Sequence, residues 1–132
     1  VLAEGVAILD APPGTSCAVV ATVRDADYVL LVTEPTPFGL NDLKLAVEPI
    51  RQLGLPYGVV INRADTGDRR VREFCMAEKI PILLELPDDR RVAEAYSRGQ
   101  LAVRGLPEWS GNMLNLWSHL EASAGTRRGP EA

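Results

Sequence analysis

Four short apolar runs without alternation limit this chain more than any other feature. They are Val6–Leu9, Tyr28–Thr33, Tyr57–Asn62 and Ile80–Leu84. A run of this length with no polar alternate has both faces buried. That is the pattern of a parallel sheet covered by helices on each side. The intervening segments have the length and spacing of helices. The chain therefore reads as α/β, a mainly parallel sheet with flanking helices.

The segments between the runs set the expected boundaries. Cys17 to Val23 reads as a short helix capped by Thr15 or Ser16. Glu34-Pro35-Thr36-Pro37 is a loop, because two prolines exclude regular pairing. Leu40, Leu43, Val47, Ile50 and Leu53 recur at helical spacing, with Asn41 or Asp42 as the start, Gly54 as the stop and a kink at Pro49. Asp68 caps a helix that turns Val71, Phe74 and Cys75 inward. Asp88 or Asp89 starts a helix carrying Val92, Ala93 and Tyr96, and Gly99 ends it. A last helix runs from about Pro107 to Glu121 with Met113, Leu116, Trp117 and Leu120 inward. Residues 1–122 form one domain, and 123–132 read as a polar, disordered tail.

Charge and cysteine content exclude several classes of function. The chain has 132 residues, with 14 Lys+Arg against 18 Asp+Glu, a net charge of -4. That balance argues against a broad electrostatic grip on nucleic acid or on an anionic membrane. No apolar run reaches the ~18 residues of a membrane-spanning helix. Cys17 and Cys75 form no C-x-x-C pair, so a disulfide scaffold is excluded and a reducing, cytoplasmic setting is expected. His119 is the one histidine, on the last helix and expected in solvent. With two scattered cysteines it excludes a zinc site of nitrogen and sulfur ligands. Cys17 is expected to be a small buried hydrophobe and Cys75 a core residue. Val1 precedes a buried strand almost at once and is not a methionine, so the chain is expected to be an excerpt of a longer one.

Two constellations can carry chemistry. Asp10 ends the first apolar run and is followed by Ala11-Pro12-Pro13-Gly14. An aspartate there puts a fixed charge at the mouth of the sheet. It can hold a Mg²⁺-bound water, because Mg²⁺ keeps several waters and takes few carboxylates. Pro12 and Pro13 restrict the chain, and Gly14 offers an N–H with no Cβ in the way. The alternative is a strand-ending turn. Asn62-Arg63-Ala64-Asp65 ends the third run. An Asn side chain pairs a donor with an acceptor and fits the edge of an adenine or guanine ring. It can equally close its own turn. Leu86-Pro87-Asp88-Asp89 either flanks a base or caps a helix. Arg69-Arg70-Val71-Arg72 and Asp88-Asp89-Arg90-Arg91 read as solvated helix starts.

Taken in order, these segments resemble the MinD/ParA family of deviant P-loop ATPases, and within it the subgroup with a ferredoxin-like iron–sulfur insert. The residues that carry the resemblance are 10–17, 26–43, 58–63, 80–83 and 86–99, and the resemblance as a whole extends over about residues 5 to 103 in the same order. The resemblance implies that Asp10 orders the Mg²⁺ water and that Pro12, Pro13 and Gly14 are the second switch, sensing the γ-phosphate. It implies that Asn62, with Arg63, reads adenine and that Pro87 and Asp88 lie beside the base.

The departure from the family is equally informative. Lys44 follows Leu43 and Lys79 follows Glu78, so no Gly-Lys pair exists. The Gly-rich loop, its strand, the first switch and the iron–sulfur cysteines would all precede Val1. The expectation is the C-terminal half of such an ATPase, a partial P-loop NTPase fold lacking the P-loop strand. ATP and Mg²⁺ belong to the intact parent, and none is expected bound here. An iron–sulfur centre or regulatory protein is the expected partner, and the chain alone is expected to be inactive. The missing strand leaves a gap between Val6–Leu9 and Tyr28–Thr33. Either these two strands close up and pair directly or the chain self-associates into a homodimer, and the homodimer is the expectation, because closing up would strain the turn at Pro12 and Pro13. The alternatives are a non-catalytic α/β interaction domain, or a fragment of an ATP-dependent amidoligase of the cobyrinate-synthase kind.

Overall fold

Three of the four apolar runs pair into one sheet. The computed structural model describes residues 5–12, 14 and 17–125. Strands β1 (Val29–Thr33), β2 (Tyr57–Ile61) and β3 (Ile82–Glu85) lie in the order β1-β2-β3, all parallel. The β1–β2 register runs from Val29 opposite Tyr57 to Thr33 opposite Ile61. β2 meets β3 with a register shift between Val59 and Val60. As the central strand, β2 is covered on both faces, and Val59 and Ile61 are fully buried. That burial is why its sequence shows no alternation.

The fourth run behaves differently. Val6–Leu9, expected as the first strand, joins no ladder, and Ile8 is 80% and Leu9 61% exposed. An apolar run becomes a strand only where a neighbour takes its N–H and C=O groups. Among the described residues β1 pairs only with β2, and nothing extends the sheet to Val6–Leu9.

Among the described residues six helices accompany the sheet: α1 (Cys17–Val23), α2 (Pro37–Gln52), α3 (Arg70–Ala77), α4 (Arg90–Ser97), α5 (Ala102–Gly105) and α6 (Pro107–Gly125). The main core joins Leu43 and Val47 of α2, Val59 and Ile61 of β2, Val71 and Cys75 of α3, and Ile80. Val71, Phe74 and Cys75 face inward as the spacing predicts.

Other expectations shift. α2 starts at Pro37, not at Asn41 or Asp42. Thr36 is its cap and accepts the Gly39 N–H at 3.0 Å, while Pro37 sits where a missing N–H costs nothing. The helix continues past Pro49 to Gln52. On α4 the buried residue is Ala95, with Val92 half-buried, whereas Ala93 and Tyr96 are exposed. Val92 and Ala95 form one i, i+3 line facing the protein, and Ala93 and Tyr96 form the next line outward.

Cys17 is exposed rather than buried, because α1 buries none of its residues. Met113, Leu116, Trp117 and Leu120 of α6 are half-buried, and His119 is exposed. α6 runs on to Gly125, so residues 123–125 are helical and not part of a tail. The remaining expected tail, 126–132, lies outside the described residues, as do Pro13, Thr15 and Ser16. Among the described residues no helix is long and apolar enough to cross a membrane.

Candidate functional site

In a parallel sheet every strand points its carboxyl end to the same edge, and ligands gather there. Three loops meet at that edge: 34–36 after β1, 62–69 after β2 and 86–89 after β3.

The first loop is a rigid bracket. Pro35 is fully buried, and the Thr36 N–H donates to the Glu34 carbonyl at 2.8 Å. Thr33 Oγ1 donates to the Gly39 carbonyl at 3.0 Å. The second loop docks on the first through the Asp68 N–H, which donates to the Pro35 carbonyl at 3.1 Å. Gly67 makes this approach feasible, with φ +69° and no side chain toward Pro35.

Asn62 extends the β1–β2 ladder by one bond, its N–H donating to the Thr33 carbonyl at 2.8 Å. Its half-buried side-chain amide has no hydrogen-bond partner among the described residues. The turn is closed instead by Thr66, whose N–H and Oγ1 both donate to the Arg63 carbonyl, at 3.0 and 2.7 Å. That leaves the Asn62 donor and acceptor free for something else. Arg63 takes a left-handed φ of +50°, uncommon for a residue with a Cβ.

The third loop is stitched to the second. The Leu86 N–H donates to the Ile61 carbonyl at 2.9 Å, and the Ala64 N–H donates to the Leu86 carbonyl at 2.8 Å. Pro87 has no N–H. The next donor, Asp88 N–H, goes to Asp65 Oδ1 at 2.6 Å. Asp88 Oδ2 lies 3.3 Å from Arg63 Nη2. Asp88 raises the Arg63 guanidinium above its usual value, chiefly by that hydrogen bond and then by its charge, with Glu34 adding to the effect. Both partners are half-exposed, so the ion pair itself contributes little to stability. Helix capping falls to Asp89, which accepts the Arg91 N–H at 2.9 Å and leaves Asp88 to the loops.

Beside this cluster is an open cleft of about 360 Å³, lined by Val32, Thr33, Glu34, Thr36, Phe38, Gly39, Asp42 and Asn62. The Thr33 and Thr36 hydroxyls are engaged with the Gly39 backbone, so the cleft offers the Asn62 amide and one apolar wall, Val32 and Phe38, which suit the polar edge and flat face of a planar ring.

The residues singled out from the sequence thus divide. Asn62, Arg63, Pro87 and Asp88 come together at the carboxyl edge. Asp10, Pro12 and Gly14 lie on the exposed segment before α1, and no hydrogen bond or ion pair among the described residues joins Asp10 to the cluster. Pro13 is outside the described residues. Thr66 and Gly67, which organise the second loop with Asp65, carry no signal of this kind in the sequence. Only the Asn-Arg-x-Asp spacing hinted at Asp65.

The fit to a nucleoside triphosphate is partial. Asn62 and Arg63 offer the groups a base edge needs. The chain has no Gly-Lys pair to cradle the β- and γ-phosphates. No group of three or more His, Cys, Asp or Glu among the described residues could hold a metal ion.

No family model matches the chain. Among curated proteins it is similar to an uncharacterized protein of Methanocaldococcus jannaschii, 39% identical over 93 residues, which are 70% of this chain and 31% of the relative. It is similar to an uncharacterized ATP-binding protein of the same organism, 35% identical over 91 residues, 67% of this chain and 35% of that protein. It is also similar to an iron-sulfur cluster carrier protein of Aquifex aeolicus, 29% identical over 116 residues, 76% of this chain and 32% of the relative. The chain spans about a third of the length of the curated relatives it matches.

Proposed function

We propose that this chain forms the base-side part of the nucleotide site of a MinD/ParA-like ATPase. The observation that carries this reading is the meeting of Asn62, Arg63 and Asp88 at the carboxyl ends of β2 and β3, with the Asn62 amide unengaged. Asn62 reads adenine through its donor and acceptor, and Arg63, Pro87 and Asp88 flank the base. Asp10 supplies the charge that orders a Mg²⁺-bound water, and Pro12, Pro13 and Gly14 sense the γ-phosphate. The triphosphate cradle comes from residues that this chain does not contain. Similarity to an ATP-binding protein and to an iron-sulfur cluster carrier supports a parent that couples ATP to an iron–sulfur centre or to a partner protein. The exposed apolar residues Ile8, Leu9, Val32 and Phe38 favour self-association as a further property.

The test is nucleotide titration of the natural protein that carries this sequence. Wild type should bind ATP in preference to GTP, and Asn62→Ala should lose about tenfold in ATP affinity. An ATP-to-GTP preference left unchanged by Asn62→Ala would overturn the reading.

A further inference from the structure

We infer that Asp65 is the positioning residue of this site, the latch that fixes the β3–α4 loop against the β2–α3 loop. The inference rests on the nucleotide reading above.

After Leu86 the two loops lose their backbone ladder, because Pro87 has no N–H to continue it. Asp65 Oδ1 takes over by accepting the Asp88 N–H at 2.6 Å, the short length of a bond to a charged acceptor. That bond fixes the backbone at residue 88 and therefore the direction of its side chain. Asp88 Oδ2 then holds Arg63 Nη2 at 3.3 Å. Asp65, Asp88 and Arg63 form one connected chain, in which only Asp65 anchors the backbone of the third loop. Asp65 itself is exposed. Without its carboxylate, water can satisfy the Asp88 N–H, so the fold is little affected. Water does not fix the position of Pro87 and Asp88, and a loop displaced by about an ångström loses productive contacts with a bound ligand.

Two variants and two readouts test this. In the natural protein, Asp65→Ala should weaken ATP binding about tenfold while the unfolding midpoint stays near wild type. Asp65→Asn keeps an oxygen acceptor and should recover most of the affinity. Independently, nitrogen–proton NMR of the nucleotide-free protein should show the Asp88 amide proton downfield and slow to exchange. Both signatures should be lost in Asp65→Ala and largely kept in Asp65→Asn. An Asp88 amide that does not change in Asp65→Ala overturns the latch. An altered amide with unchanged ATP affinity overturns its role in positioning. Wild-type protein that binds no ATP while the amide still responds overturns the nucleotide reading and leaves the latch standing.

Discussion

A Cβ placed on Gly67 would lie 1.8 Å from the carbonyl oxygen of Pro35. Two loops from neighbouring strands are therefore packed backbone to backbone, with a buried proline on one side and a glycine at φ +69° on the other. Gly67→Ala meets both obstacles, since an L-residue is strained there and the contact has no flexible side chain to yield. The loops must separate and give up the bond from Asp68 N–H to Pro35. The expected loss is about 2–4 kcal/mol of unfolding free energy. Urea unfolding measures it, and a loss below about 0.5 kcal/mol would mean that the loops part without cost.

The junction between α4 and α6 predicts how stability depends on acid. The Arg91 guanidinium, with the Arg91 N–H and the Trp109 Nε1–H, lowers the Asp89 carboxyl to about 2. Arg91 also binds Glu108, whose own backbone N–H and Arg91 lower its carboxyl as well. In an unfolded chain Asp titrates near 3.9. A carboxyl depressed by folding contributes stability that is fully present above that value and is lost as pH falls through about 2. Unfolding midpoints should therefore fall between about pH 4 and pH 2. Asp89→Asn should show a shallower fall over the same window. Some slope should remain, because Arg70 also lowers Asp68. Equal slopes in the two proteins would remove Asp89 from the acid response.

Affinity and stability should separate at the base-side cluster. Asp88 is exposed and its pairing with Arg63 is half-exposed, so Asp88→Ala should leave the unfolding midpoint near wild type. In the natural protein the same variant should weaken ATP binding by about tenfold. The 132-residue chain alone has no Gly-Lys pair for the phosphates. It should bind ATP at best with roughly millimolar affinity and show no turnover. Calorimetry on the isolated chain decides this. Micromolar binding that Asn62→Ala abolishes would show that the base edge alone suffices.

Much of this architecture was readable from local pattern. The β2 run is apolar on both faces because it is the middle strand, and Val71, Phe74 and Cys75 keep helical spacing because α3 packs on that strand. What was not readable depended on partners distant in sequence. Val6–Leu9 has the composition of a strand, but pairing decides the matter and composition does not report it. The start of α2 lay in Thr36-Pro37, where two prolines read more strongly as a loop than as a capped first turn. At the site, Asn62, Arg63 and Asp88 could be singled out as residue types. Asp65 stands in the same stretch as Asn62, but its role could not be read there, because it is a bond to a backbone N–H twenty-three residues away.

The last prediction concerns the outer edge of β1. Among the described residues β1 has one neighbour, β2, and Val32 near its end is 66% exposed. Leu30 and Leu31 beside it are only half-buried. A parallel strand normally lies inside a sheet, and one open to water presents a row of unpaired donors and acceptors next to apolar side chains. Direct pairing with Val6–Leu9 would have closed this edge, but that segment forms no ladder and leaves Ile8 and Leu9 in solvent. Pairing with a second copy would cover both groups, and a closed two-fold arrangement would prevent further growth. The isolated chain should therefore sediment as a dimer at low micromolar concentration. Val32→Lys places a charge on the edge and should shift it to monomer without unfolding it, because Val32 is already largely exposed. A wild-type chain that stays monomeric at high micromolar concentration, with its circular dichroism intact, would show that the β1 edge is tolerated in water.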